Sequence, residues 1–379
     1  MYSPEMQNQF TCAELFLSIG QNCLEMKASG CFIGKTISIK RAIMHIHLMQ
    51  KLGNMDQIAG IREFKATRGP EKGLELLELY NAAGLRFTVL PDRCMDIYNF
   101  SYKGCNLSFH SKNGLTVGRD PAEDQFFHQW PGGMLTTCGL LNVGNACVDG
   151  GVHPIHGRIG STPARHVSVH EGWVGEDYRL SVTGEIWETR LYGYTLSLSR
   201  TISTGLYDKT VTITDAITNH SAADQEFMLL YHINFGYPLL DAPSVFLCSA
   251  AATEPRNDIS RDWVNMCAPD EEPPHQLFLH TMHGKTARAA IINPTLQLAG
   301  YTAFDAAHLP YLCEWKHMAA HDYVAALEPC NCIGLGRVEE RSNGTLRMLP
   351  AYGSIRHTLT LGVLDGQAEI DAFSQSCKQ

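Results

Sequence analysis

Two segments of this 379-residue chain each carry one side chain suited to acid–base chemistry near neutral pH. In Tyr231–Phe235, strand alternation would place His232 and Asn234 on one face. In Ala326–Pro329, Glu328 follows a leucine and precedes a proline. An imidazole titrates near neutral pH and a carboxylate is ordinarily charged there, so these residues can supply a proton donor and a proton acceptor. A structural explanation is also open, since His232 could be a core histidine and Glu328 an ordinary strand end.

A glycine-rich segment, His153–Pro163 (HPIHGRIGSTP), adds two histidines and an arginine. Its prolines and glycines oppose a regular helix, and glycine lets the backbone approach another group closely. Buried imidazole and guanidinium groups are costly without partners. We therefore predict a loop that faces a ligand, with His156 and Arg158 as its binding residues.

Arg93, Trp315 and Lys316 complete the set of candidate binding residues. Arg93 follows a predicted strand and could instead form a surface ion pair, and Trp315 could belong to the core. Taken together, the candidates supply imidazoles, a carboxylate, an arginine and an aromatic face. This set suits acid–base chemistry on a neutral polyhydroxylated substrate, because hydroxyl groups take polar contacts and a pyranose ring stacks on tryptophan. The predicted partner is a small-molecule sugar.

Other common active-site motifs are missing from the sequence. It contains no G-x-x-x-x-G-K-[ST], no strand followed by G-x-G-x-x-G, no G-x-S-x-G and no H-E-x-x-H. His317 and His321 have the helical spacing of metal ligands but lack the neighbouring glutamate of that last motif. We therefore expect neither a cofactor nor a metal site.

Composition limits the class of partner and the compartment. The net charge of -9 argues against nucleic-acid binding, which needs a basic face. There is no apolar run long enough to span a membrane and no basic cluster of the signal-peptide kind. The 13 scattered cysteines indicate reduced thiols, so a cytoplasmic location is predicted. The oligomeric state stays open, with a homodimer as one option.

The elements that must position these residues are predicted to be strands. From Gln57 onward, short alternating or β-branched segments follow one another with few helical patterns between them. We predict an all-β domain of stacked antiparallel sheets over residues 53–379, and an N-terminal extension over residues 1–52 that packs on it. The segments with the clearest pattern are Gly73–Tyr80, Gly84–Leu90, Tyr178–Trp187, Leu191–Ile202, Thr210–Thr218 and Glu226–Phe235.

Six motifs in chain order resemble the aldose 1-epimerase (galactose mutarotase) superfamily, and an uncharacterised branch of it in particular. They are GIREF, LPDRCMDI, GGMLTTCGL, HGRIGSTPAR, LYHINFG and ALEPCN, and the resemblance runs from about residue 53 to the C-terminus. It implies a β-supersandwich of large twisted antiparallel sheets with few helices and a sugar in an open cleft. It also implies an isomerase that interconverts sugar anomers by opening and reclosing the ring.

The resemblance assigns roles to individual residues. His232 takes the place of the general acid that protonates the ring oxygen, and Glu328 that of the general base at the anomeric hydroxyl. His156 would hold the sugar near its ring oxygen, and Arg93 lies near the place of a sugar-binding arginine. The family's substrate-binding aspartate has two candidate counterparts, of which Asp241 is one.

Several readings remain open from the sequence alone. Asp305 is the second candidate for the binding aspartate, and Asn234 is a further candidate for contact with the sugar. A non-catalytic sugar-binding protein on the same fold would share the cleft. A glycosidase could use Glu314 and Glu328 as its two carboxylates, and a metal-dependent sugar isomerase is a further alternative.

Overall fold

The computed structural model describes residues 48, 50–117 and 125–378. The chain divides into two compact units, Met1–Gln57 and Ile58–Gln379. In the first unit, the described part contains one 3-10 turn, Met55–Gln57. The predicted extension over residues 1–52 lies almost entirely outside the described residues, so its packing on the main domain stays a prediction.

The second unit is built from antiparallel strands. A five-stranded sheet follows chain order and consists of β1 (Gly60–Lys65), β2 (Glu75–Tyr80), β3 (Leu85–Leu90), β4 (Asp96–Tyr102) and β5 (Cys105–Asn106). A small two-stranded sheet consists of β7 (Cys147–Val148) and β8 (Val152–His153).

An eight-stranded sheet runs in the order β14-β17-β18-β22-β12-β11-β10-β9. Along β10 and β12, buried and half-buried residues alternate without a break, as expected for strands with one face on the core. The strands are β9 (Ala164–Val174), β10 (Asp177–Thr189), β11 (Thr195–Gly205), β12 (Thr210–Asn219), β14 (Val245–Cys248), β17 (Thr286–Asn293), β18 (Leu298–Asp305) and β22 (Ser354–Asp365).

A seven-stranded sheet carries the residues of interest. Its order is β15-β16-β19-β20-β13-β21, and a further strand, β6, also pairs with β13. The strands are β6 (Leu135–Leu140), β13 (Gln225–Phe235), β15 (Ala250–Pro255), β16 (Gln276–Met282), β19 (Tyr311–Ala319), β20 (Asp322–Cys330) and β21 (Arg347–Leu349).

Helices are few in the described part of the chain, which confirms the all-β prediction. They are α1 (Gln125–Gln129), α2 (Arg337–Asn343) and α3 (Gln367–Ser376), with a 3-10 turn at Ile159–Ser161. Ile370 and Phe373 of α3 pack into an apolar cluster with Ala290, Ala299 and Leu364. No helix among the described residues has the length and apolar character needed to cross a membrane.

A buried ion network joins the three larger sheets. Arg200 on β11 forms ion pairs with Asp215 on β12 at 2.7 Å and with Asp96 on β4 at 3.0 Å. Tyr231 on β13 donates its hydroxyl proton to Asp215 at 2.8 Å, and Thr137 on β6 donates to Asp96. Because every member is almost inaccessible to water, the network fixes how the sheets stack.

Candidate functional site

The register between β13 and β20 brings the two predicted catalytic groups together. Leu230 pairs with Cys330 and Ile233 pairs with Leu327, so the same register sets His232 opposite Glu328. Residues opposite each other in an antiparallel pair project to the same face. His232 Nε2 lies 3.1 Å from Glu328 Oε1.

Asn234 fixes the orientation and the tautomer of His232. Its amide nitrogen donates to the carbonyls of Gly133 at 2.9 Å and His232 at 3.0 Å, so its Oδ1 is the acceptor for His232 Nδ1. The neutral imidazole therefore carries its proton on Nδ1, and its Nε2 lone pair points toward Glu328.

Burial shifts both pKa values of this pair away from those expected from the sequence. It lowers the pKa of His232 to about 3, helped by the nearby His156, and raises the pKa of Glu328 to about 8. The sequence led us to expect a protonated imidazole and a charged carboxylate. Burial instead favours the neutral form of the pair, in which the Glu328 carboxyl group donates to His232 Nε2.

The pair lies in the wall of a cavity of about 720 Å³. Trp130 and Trp315 flank His232, with ring centroids 5.5 and 5.7 Å from the imidazole centroid. Trp130 donates its indole proton to Thr136, and Trp315 donates to His275, so both rings are held in place. The volume and the two aromatic faces suit a monosaccharide.

His156 reaches the same cavity from the glycine-rich segment. Its ring centroid lies 5.6 Å from that of His232, and its Nδ1 accepts a hydrogen bond from the Gly144 amide. The proton of the neutral ring is therefore on Nε2, because burial lowers the pKa of His156 to about 4. Gly157 allows this approach, since a Cβ there would lie 2.0 Å from the Gly139 carbonyl oxygen.

Residues 71–363 match the family described as "Domain of unknown function (DUF4432)". The chain belongs to this family. A comparison with curated proteins finds no match.

Several solved structures share the fold of this DUF4432 protein. A "putative aldose 1-epimerase" from Klebsiella pneumoniae is 22% identical, with a TM-score of 0.79, and the match covers 86% of this chain and 90% of that one. A galactose mutarotase-like protein from Clostridium acetobutylicum is 16% identical over 82% and 99% of the chains, with a TM-score of 0.57. Galactose 1-epimerase from Lactobacillus acidophilus is 13% identical over 82% and 100%, with a TM-score of 0.53. These likenesses confirm the predicted galactose mutarotase-like fold.

Two predicted arginines of the DUF4432 protein lie apart from the large cavity. Arg93 is buried and donates to the Thr116 and Gln129 carbonyls, and it lines a separate small cavity of about 30 Å³. Trp130 and His156 line both this small cavity and the large one. Arg158 donates to the Val152 carbonyl at 3.0 Å and is not among the described residues that line the large cavity.

Strand alternation separates Trp315 from Lys316. Trp315 faces the cavity, whereas Lys316 projects behind the sheet and donates to the carbonyls of Asp262 and Asn265. Glu314 is also behind the sheet, where its Oε2 lies 3.0 Å from His280 Nε2. Glu314 and Glu328 therefore cannot flank one sugar, which argues against the hypothesis of a two-carboxylate glycosidase.

The other polar residues predicted to contact the sugar also lie away from the cavity lining. Asn234 is fully buried behind His232. Asp241 Oδ1 accepts from the Ala242 amide, and Asp305 Oδ1 accepts from the Ala307 amide. Neither aspartate is among the described cavity residues. No group of three or more His, Cys, Asp or Glu side chains in the described ranges is placed to hold a metal ion.

Several cavity residues were not predicted from the sequence. Alternation along β19 could have indicated His317, which lies two residues from Trp315 on the same face. The others come from loops and strands distant in sequence, so no local pattern marks them. They are Lys112, Phe126, Trp130, Arg256, His275 and Asp322.

Proposed function

We propose that this protein is a carbohydrate isomerase of the aldose 1-epimerase type, with a free sugar as its small-molecule substrate and no need for a cofactor. The observation that carries the proposal is the 3.1 Å contact between His232 and Glu328 in the wall of a cavity lined by two tryptophans. An imidazole and a carboxyl group at that separation can exchange a proton with each other and with a bound hydroxyl group.

The pair holds one transferable proton. When it passes from Glu328 to His232 Nε2, the pair becomes an imidazolium and a carboxylate. The imidazolium then protonates the ring oxygen while the carboxylate takes the proton of the anomeric hydroxyl. The C1–ring oxygen bond breaks, the C1 carbonyl forms, and the proton count of the pair is unchanged. Both oxygens are bonded to C1, so two adjacent groups can serve them at one edge of the sugar.

Ring closure completes the exchange of anomers. After rotation about the C1–C2 bond, the aldehyde presents its other face to the same hydroxyl group. Glu328 then returns a proton to the carbonyl oxygen and His232 accepts one from the attacking hydroxyl group. His156, through its Nε2–H, would hold the sugar near the ring oxygen. Trp130 and Trp315, whose ring centroids are 6.1 Å apart, would form one aromatic surface against an apolar face of the sugar.

The test is anomer exchange measured by NMR over a panel of free aldoses. We expect the protein to accelerate exchange for at least one aldose. His232→Ala and Glu328→Gln should each reduce kcat by about 10²–10⁴-fold, because each removes a proton-transfer group. Normal exchange in both variants, each shown to be folded by circular dichroism, would contradict the proposal.

A sugar-binding protein without turnover is the second candidate. It is favoured by the burial of His232 and Glu328, because burial opposes the imidazolium–carboxylate form that turnover requires. This candidate predicts saturation-transfer NMR signals from a bound aldose and exchange at the spontaneous rate. We further propose that the protein works in the cytoplasm, since all ten cysteines of the described part are free thiols.

A further inference from the structure

Arg256 lies in the cavity wall at a distance from the proposed catalytic pair. It directly follows β15, and its amide donates to the Leu277 carbonyl, so it continues the row of Leu277 and Trp315 across β16 and β19. All three residues line the cavity. Two strands separate Arg256 from Glu328 on β20, which gives roughly 14 Å between their backbones. The two side chains and one hexose fill such a span.

The guanidinium of Arg256 has no counter-charge in the described structure. No described residue forms an ion pair or a hydrogen bond with it, although its side chain is partly buried. A guanidinium recognises carboxylate and phosphate groups through its planar fork of N–H donors. A ligand with such a group would therefore supply the partner that the described structure lacks.

The other charged cavity residues balance one another. Lys112 Nζ lies 2.6 Å from Asp322 Oδ2, so that pair is neutral. Burial favours a His232–Glu328 pair that is neutral as a whole. Burial lowers the pKa values of His275 and His317, which stack at 4.1 Å beside Trp315. The described lining therefore carries one unbalanced positive charge, and Arg256 holds it.

The imidazole of His275 contributes a neutral N–H donor to the same cavity wall. His275 Nδ1 accepts the proton of the Trp315 indole at 2.9 Å, so its own proton is on Nε2. His317 Nδ1 is buried and no partner for it exists among the described residues. Arginine is a residue of choice for binding a carboxylate or a phosphate group, and neutral N–H donors of the same cavity wall can add hydrogen bonds to it.

We propose that the substrate of this cavity is an acidic sugar, whose carboxylate or phosphate group binds to Arg256 while its anomeric centre lies against His232 and Glu328. This inference rests on the proposed function for the position of the anomeric centre. The position of the anion depends on Arg256 alone. A carboxylate and a phosphate share the chemistry that a guanidinium recognises, so the experiment includes both.

The experiment is isothermal titration calorimetry of the full chain with matched sugars. The pairs are D-galactose with D-galacturonate and D-glucose with D-glucuronate, and D-glucose 6-phosphate is the phosphate arm. We expect at least one acidic sugar to bind about 10–100-fold more tightly than its neutral counterpart, because a charge-assisted hydrogen bond replaces an unpaired charge. The stronger of the carboxylate and phosphate arms identifies the anion.

Two variants connect this preference to Arg256. Arg256→Gln should reduce the ratio of neutral to acidic dissociation constants to about 1. Arg261→Gln is the matched control, since Arg261 is exposed and is not among the described cavity residues, and it should keep the wild-type ratio. Equal binding of acidic and neutral sugars, no binding of any of them, or an unchanged ratio in Arg256→Gln would overturn the inference.

Anomer exchange measured on the same samples separates this inference from the proposed function. Tight, Arg256-dependent binding of an acidic sugar without exchange would support the anion site and contradict the isomerase. Exchange of neutral aldoses without a preference for acidic ones would support the isomerase and contradict the anion site.

Discussion

At the scale of single residues, the surroundings of His232 determine its chemistry more than its identity does. Asn234 holds the Nδ1 proton, and Glu328 faces Nε2. Both groups are almost fully buried, and burial opposes a charge on either one. Burial therefore favours a neutral pair with one transferable proton over two independently charged groups.

This arrangement predicts how activity depends on pH. Above the Glu328 pKa of about 8 the pair loses its transferable proton, and below the His232 pKa of about 3 it gains a second one. We therefore expect kcat/KM to be constant from about pH 4 to pH 7.5 and then to fall about tenfold per pH unit above pH 8. The measurement is anomer exchange across pH, after subtraction of the spontaneous rate. A rise in kcat/KM through pH 8 would show that the pair acts as independently charged groups.

At the scale of elements, the two-residue period of β19 places alternate side chains in the cavity and in the core. Cys313, Trp315 and His317 face the cavity, whereas Glu314 and Lys316 are buried behind the sheet. Adjacent residues in a strand project to opposite faces. The sequence motif Glu-Trp-Lys thus divides into one cavity residue and two residues of the core.

The same alternation predicts opposite effects for neighbouring substitutions. Trp315→Ala should raise KM for the sugar by about 10-fold or more, because it removes an aromatic stacking face. Lys316→Met should leave kcat/KM within about twofold while lowering the free energy of unfolding by about 1–3 kcal/mol, since two carbonyls lose their donor. Steady-state kinetics and urea unfolding measure both effects. Weaker sugar binding in Lys316→Met with an intact Trp315 would contradict this assignment.

At the scale of the whole domain, the ion network around Arg200 connects sheets that are far apart in sequence. Its guanidinium contacts Asp96 from the five-stranded sheet and Asp215 from the eight-stranded sheet. Thr137 and Tyr231 extend the network into the sheet that carries the site. Tyr231 directly precedes His232, so the network also supports the position of the proposed catalytic pair.

Loss of the Arg200 guanidinium should therefore destabilise the domain strongly. We expect Arg200→Leu to lower the free energy of unfolding by about 3–5 kcal/mol, because it leaves two buried carboxylates without a partner. Arg179→Leu is the control, since Arg179 pairs with Asp177 and Asp208 at the surface and should contribute at most about 1 kcal/mol. Urea unfolding measures both variants. Equal losses would show that the network is not a central support.

The sequence by itself determined the strands and the all-β class, and it selected His156, His232, Glu328 and Trp315 as candidate site residues. Strand alternation and glycine-rich loops are local properties, and a chain with one buried face per strand must show them. The motif resemblance added the fold, which the solved structures confirm.

Only the tertiary structure decided which polar residues meet. The register of β13 against β20 set His232 opposite Glu328, and strands distant in sequence brought Arg256 into the same wall. It also placed Lys316, Asn234 and Arg158 away from the cavity lining. Register, burial and the pKa shifts that follow from burial depend on contacts between remote segments, so no window of sequence contains them.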